Sequence, residues 1–130
     1  ACDAFSLPPS EYIDGYRVIY DDAYIRSLAF HTSSNQTHSC GANESYIASL
    51  STVTDSGWVL FSNMYLSGFW VKDQSGLHAV QFSFTFTNTT LDETRYGGYG
   101  GGNYFDLFDI GRVNAFHLWG AAGTVTPKRL

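Results

Sequence analysis

Two stretches of this chain lie over one another position by position: Tyr12-Ile13-Asp14-Gly15-Tyr16-Arg17-Val18 and Tyr65-Leu66-Ser67-Gly68-Phe69-Trp70-Val71. Each sets aromatic and β-branched residues around a glycine at the same place, the composition of a half-buried strand. The residues after the two copies are also alike. After the first, Asp21-Asp22-Ala23 turns and Tyr24-Ile25-Arg26-Ser27-Leu28-Ala29-Phe30-His31-Thr32 returns with alternating faces. After the second, Lys72-Asp73-Gln74-Ser75-Gly76 turns and Leu77-His78-Ala79-Val80-Gln81-Phe82-Ser83-Phe84 returns. A third, shorter copy runs out over Tyr104 to Asp109, turns at Ile110-Gly111 and comes back over Arg112 to Trp119. Three hairpin-centred repeats without a helical period predict an all-β fold of three similar sheets around one core. A three-sided prism with pseudo-threefold symmetry satisfies this. A two-sheet sandwich is the competing architecture, but it does not by itself call for a threefold echo.

Around the hairpins, residues 1 to 10 with Pro8-Pro9-Ser10 predict an extended lead-in, since proline excludes a helix there. Ser33 to Thr37 reads as a polar turn, His38 to Gly41 as a short strand, and the stretches around Tyr46 to Val53 and Trp58 to Phe61 as two more strands. At 130 residues the chain is one domain with room for a sizeable core. Its 44% hydrophobic and 15% charged residues exclude a disordered chain, and no apolar run reaches membrane-spanning length, so membrane insertion is not expected. The net charge of −5 comes from 12 acidic residues against 7 basic ones, with no basic cluster, which argues against a nucleic-acid partner.

Tyr96-Gly97-Gly98-Tyr99-Gly100-Gly101-Gly102-Asn103 packs five of the 13 glycines into eight residues. Such a run is either a slack linker or a place where a ligand meets bare backbone N–H groups. Tyrosines beside exposed backbone suit sugar recognition, the ring taking a C–H face and the amides taking hydroxyls. Cys2 and Cys40 are the only cysteines, and a bond between them is the economical reading, in an oxidising compartment. Sequons at Asn35, Asn43 and Asn88 agree with secretion, as does an opening at Ala1-Cys2-Asp3 that reads as the start of a mature secreted chain.

Phe84-Thr85-Phe86-Thr87-Asn88, a polar insert and then Thr94-Arg95-Tyr96-Gly97-Gly98-Tyr99-Gly100 resemble the strand–turn–strand signature of the jacalin-related lectins. Pro9-Ser10-Glu11-Tyr12-Ile13 followed by Ile25 to Thr32 is similar to the same family segment, and the likeness covers nearly the whole chain. The resemblance implies a β-prism of three Greek-key sheets that binds mannose-, glucose- or galactose-type sugars without metal, cofactor or catalysis. Two frames are open. In the usual strand order, Gly111 to Leu130 is the closing hairpin and Gly120-Ala121-Ala122-Gly123 the binding loop. In a permuted order, Tyr96 to Asn103 is the glycine-rich sugar loop and Asp73-Gln74-Ser75-Gly76-Leu77-His78 its partner. The second gives the clustered glycines a role and is favoured. Neither keeps the family's Gly-x-x-x-Asp loop, because the aspartate positions read His78, Asn114 or Arg26.

The carbohydrate site expected on this reading comprises Asp73, Gln74, Ser75, Gly76, Leu77 and His78 with Gly97, Gly98, Tyr99, Gly100 and Gly101. Asp73 would accept from sugar hydroxyls while turn amides donate to them. Asp21, Asp22, Tyr24 and Asp109, at the equivalent turns, form a second possible site, although Asp and Gly are also what β-turns ordinarily use. His31, His38 and Cys40 lack the fourth ligand and close pairing of a zinc site, so no metal is expected. His78 and His117 read as packed or surface residues, and Asp106 and Asp109 are too weak a pair to suggest a glycosidase. No nucleophile elbow, zinc-protease motif or phosphate loop occurs. The expected partners are mono- or oligosaccharides and glycoconjugates, with a homodimer for avidity; the alternative is an acidic extracellular matrix or mineral-associated protein.

Overall fold

The computed structural model describes residues 5–8, 10–41, 44–50, 52–73, 77–97, 103–107, 115–119 and 126–128. Its first sheet is built on the hairpin β2 (Ile13–Tyr20) and β3 (Ile25–Thr32), flanked by β4 (Thr37–Gly41), β5 (Thr54–Asp55) and β6 (Val59–Leu60). The second is built on β7 (Tyr65–Asp73) and β8 (Leu77–Phe86), flanked by β9 (Thr89–Asp92), β10 (Tyr96–Gly97) and β11 (Asn103–Leu107). The third joins the two ends of the chain, with β1 (Phe5–Ser6) beside β12 (Ala115–Trp119) and β12 beside β13 (Thr126–Lys128). Every pairing among the described residues is antiparallel.

The overlay of the two long hairpins holds down to their irregularities. β2 slips register against β3 between Ile13 and Gly15 and again between Ile19 and Tyr20, and β7 slips against β8 between Leu66 and Gly68 and between Lys72 and Asp73. These are the same places in the two copies. A bulge re-aims every later side chain, so equal bulges send equal positions inward. Ile13, Tyr16 and Val18 on β2 are buried, as are Leu66, Phe69 and Val71 on β7; Ile25, Leu28 and Phe30 on β3 answer Leu77, Val80 and Phe82 on β8. Together with Leu7 and Phe84 these side chains form one core. Gly15 is required by its neighbour strand: a Cβ there would lie 2.7 Å from the Val59 carbonyl oxygen of β6.

Three expectations are corrected. The third hairpin does not form, because β11 pairs with β7 in the second sheet while β12 pairs with β1 and β13. Strand pairing follows the edges left available after folding, and β12 finds them on β1 and β13 rather than on β11. The stretch around Tyr46 to Val53 is not a strand but holds a single-turn helix, α1 (Glu44–Ser49), where the Ser49 hydroxyl donates to the Tyr46 carbonyl and the Leu50 amide to that of Ile47. Lys72 and Asp73 continue β7, leaving a shorter connection than the five-residue turn expected. β12 and β13 pair antiparallel at the end of the chain. Among the described residues no helix is long and apolar enough to cross a membrane.

Candidate functional site at one end of the sheets

The two loops expected to face one another start and finish at one end of the second sheet. Asp73, last on β7, is in register with Leu77, first on β8, and with Asn103, first on β11. Gly97, last on β10, is in register with Ala79 on the other side of the sheet. The stretches 74–76 and 98–102 are therefore bracketed by residues at one end, the second running between opposite edges. Gln74, Ser75, Gly76, Gly98, Tyr99, Gly100, Gly101 and Asp109 lie outside the described residues.

The first hairpin brings its own turn to the same end. The His78 Nδ1–H donates to the Ala23 carbonyl at 2.7 Å, and the Tyr24 and His78 rings stack with centroids 4.7 Å apart. The Arg26 guanidinium sits 5.1 Å from the Tyr24 ring centre. Hence the Asp21-Asp22 turn lies beside the start of β8, at the end of the second sheet where the first expected site is bracketed. The sequence does not announce this contact; its only trace is that Tyr24 and His78 each border a turn in the overlaid hairpins.

Asp21 spends its carboxylate on the turn itself. Its Oδ1 accepts from the Ala23 and Tyr24 amides at 2.9 and 2.8 Å, and its Oδ2 from Arg26 Nε at 2.7 Å. Desolvation raises its pKa, but the bonds from Tyr24, Arg26 and Ala23 outweigh it and hold the carboxyl below the usual range. Asp22 is exposed beside it. Leu77 is a correction: at 0% exposure it belongs to the core, and its side chain has no surface to offer a sugar.

Gly97 adopts φ +79°, and a Cβ there would lie 2.2 Å from the His78 carbonyl oxygen. One glycine of the run is thus demanded by close backbone approach rather than by a ligand. Just behind it, Tyr16 donates to Glu93 Oε1 at 2.9 Å and accepts from the Tyr96 hydroxyl at 3.0 Å, tying β10 to the first sheet. Burial first, then these bonds to Tyr96 and Glu93, push the Tyr16 phenol far above its ordinary value and keep it neutral.

His31 lies between two acceptors, Asp14 Oδ1 at 2.5 Å from Nδ1 and Asn35 Oδ1 at 3.0 Å from Nε2. Both nitrogens donate only in the imidazolium, so the bonds His31 gives to Asp14 and then to Asn35 raise its pKa. A histidine whose folded pKa exceeds its unfolded value of about 6.5 adds stability that is complete below that pH and lost as pH rises through the folded value. Denaturation midpoints should therefore fall as pH is raised upward from about 6.5, and His31→Gln should flatten that slope. Asn35, at φ +63°, and Asn88 are exposed on turns, while Asn43 lies outside the described residues. Among the described residues no three His, Cys, Asp or Glu side chains cluster as metal ligands would.

No protein-family model matches the sequence, and no curated protein matches it. Among solved structures, the chain is similar to a Malaysian banana lectin at a TM-score of 0.62, covering 98% of this chain and 92% of the lectin. The fold is a β-prism, the architecture of that lectin. At 12% identity the likeness is one of architecture, reached with almost entirely different side chains.

Proposed function

We propose that the chain is a secreted, non-catalytic lectin that binds simple hexose-type glycans without metal, through loops at one end of the prism. The near-full-length match to a lectin prism carries this reading. The gathering of the Asp21 turn and the brackets of 74–76 and 98–102 at one end supports placing the sugar there. On this reading Asp73 accepts from adjacent ring hydroxyls, the amides of 74 to 76 and 97 to 101 donate, and Tyr99 walls the ring. The second location on this reading is Gly120 to Gly123, which lies in sequence between the paired strands β12 and β13.

So shallow a site holds one sugar near millimolar, about −4 kcal/mol, and dimerisation supplies avidity. Asp73→Asn removes charge-assisted hydrogen bonds of about 1.5–3 kcal/mol, enough to abolish a millimolar complex. Calorimetry with the methyl glycosides of mannose, glucose and galactose tests this. Undiminished binding by a folded Asp73→Asn would move the site to Gly120 to Gly123, then to the Asp21-Asp22 turn.

A Cys2–Cys40 disulfide belongs to the same proposal. Cys40 is on β4, β4 lies close to β12, and β12 pairs with β1, whose first residue comes shortly after Cys2. Thiol titration of the denatured protein should find no free thiol; two reactive thiols per chain would remove the bond and weaken the argument for secretion.

A further inference from the structure

We propose a second saccharide site, on the outer face of the first sheet. Residues Arg17, Ala29 and Ser39 stand side by side across β2, β3 and β4, with Ile19 and Ser27 paired in the next outward row. Helix α1 covers part of this floor with Ile47 and Ala48, and Trp58 stands at its rim. The groove between has a volume of about 610 Å³, within the range of about 300–1,000 Å³ typical of small-ligand sites.

Its chemistry is that of a sugar subsite. Trp58 is 42% exposed, yet its ring is braced edge-on by His31 at 6.3 Å, which Asp14 and Asn35 hold in turn. An exposed indole in such a groove offers a face to pyranose C–H groups. The Arg17–Asp55 ion pair lies in the groove at about 40% exposure, with Arg17 Nε 3.0 and 3.2 Å from the two carboxylate oxygens and the Gly57 amide fixing Asp55 at 2.8 Å. It places a carboxylate and a guanidinium together in the groove, the groups that accept from and donate to sugar hydroxyls. The Ser27 and Ser39 hydroxyls alternate on the floor with Ile19 and Ala29, which suits the mixed polar and apolar surface of a sugar better than a purely apolar ligand. The groove is larger than one ring needs, so the ligand class is a short oligosaccharide.

The second sheet shows what a closed version looks like. Trp70 takes the place of Arg17 there and Gln81 that of Ala29, and Arg95 lies over the Trp70 ring at 3.7 Å while donating to Gln81 at 3.2 Å. Trp70 is left 9% exposed. The same face of the same hairpin is thus filled in one copy and left open beneath α1 in the other.

The test is titration of the ¹⁵N-labelled protein with maltose, cellobiose, lactose and chitobiose, following the three indole N–H resonances assigned by Trp→Phe variants. The Trp58 resonance should shift to saturation with at least one disaccharide. Ser39→Trp, which fills the groove, and Trp58→Ala, a change at an exposed side chain, should each weaken that disaccharide at this site at least tenfold, read from backbone amides of β3 and β4. Asp73→Asn should leave the response unchanged, which separates this site from the loop end. A Trp58 resonance unmoved by every disaccharide, or a response that survives both groove variants or vanishes with Asp73→Asn, overturns the proposal.

Discussion

Phe82→Ala should lower the free energy of unfolding by about 3–5 kcal/mol, the range for emptying a phenylalanine site in a packed core. Phe82 is fully buried on β8, with the Tyr16 ring 5.0 Å away and the Phe30 ring 5.5 Å away, edge-on. Both neighbours belong to the first hairpin, so Phe82 is one of the buried side chains through which the two repeats hold one another. Native stabilities run only to about 5–15 kcal/mol, so the loss is a large share of the total. Urea denaturation with an unchanged m-value checks it. A loss below about 1 kcal/mol, the level of an ordinary surface change or a collapsed site, would mean the hairpins do not share a core.

Gly97→Ala should cost about 3 kcal/mol through two additive causes. A left-handed backbone costs a side-chain-bearing residue about 1–2 kcal/mol, and the new methyl would meet the His78 carbonyl, which belongs to β8 and cannot swing aside. Relief requires β10 to leave β8, loosening the bracket of the 98–102 stretch. Gly57 supplies the control: its φ is +70°, but among the described residues nothing lies within 4 Å of a Cβ there. Gly57→Ala should therefore show the backbone cost alone, about 1–2 kcal/mol. Equal losses in the two variants would show that β10 does not press on His78.

The two long hairpins were legible because each strand carries its own two-residue period, and the glycine and its neighbours repeat in step. Even the bulges follow from that overlay, although nothing in the letters Asp14 or Ser67 names a bulge. The third hairpin was misread for a physical reason. Residues 103–107 and 115–119 have the aromatic composition of hairpin partners, but strand pairing is settled by which edges remain unpaired, and the edge that takes β12 is β1 at the far end of the chain. Tyr46 and Ile47 suggested a strand through their intrinsic preference, which a single helical turn laid on the outer sheet face overrides. For the site, aspartates and glycines at turns marked the loops, whereas the Tyr24–His78 stack and the use of Asp21 by its own turn depend on contacts between repeats. The outer groove gave no signal, since Arg17, Ser39, Asp55 and Trp58 are scattered along the chain and meet only after folding.

The central proposal, that this β-prism binds carbohydrate, is tested most directly by a glycan array probed with the folded wild-type protein in a buffer containing EDTA. The account predicts saturable binding to glycans bearing terminal hexoses, undiminished by the chelator and competed by the free sugar. Absence of binding to every glycan, or binding that disappears when divalent cations are removed, would contradict it.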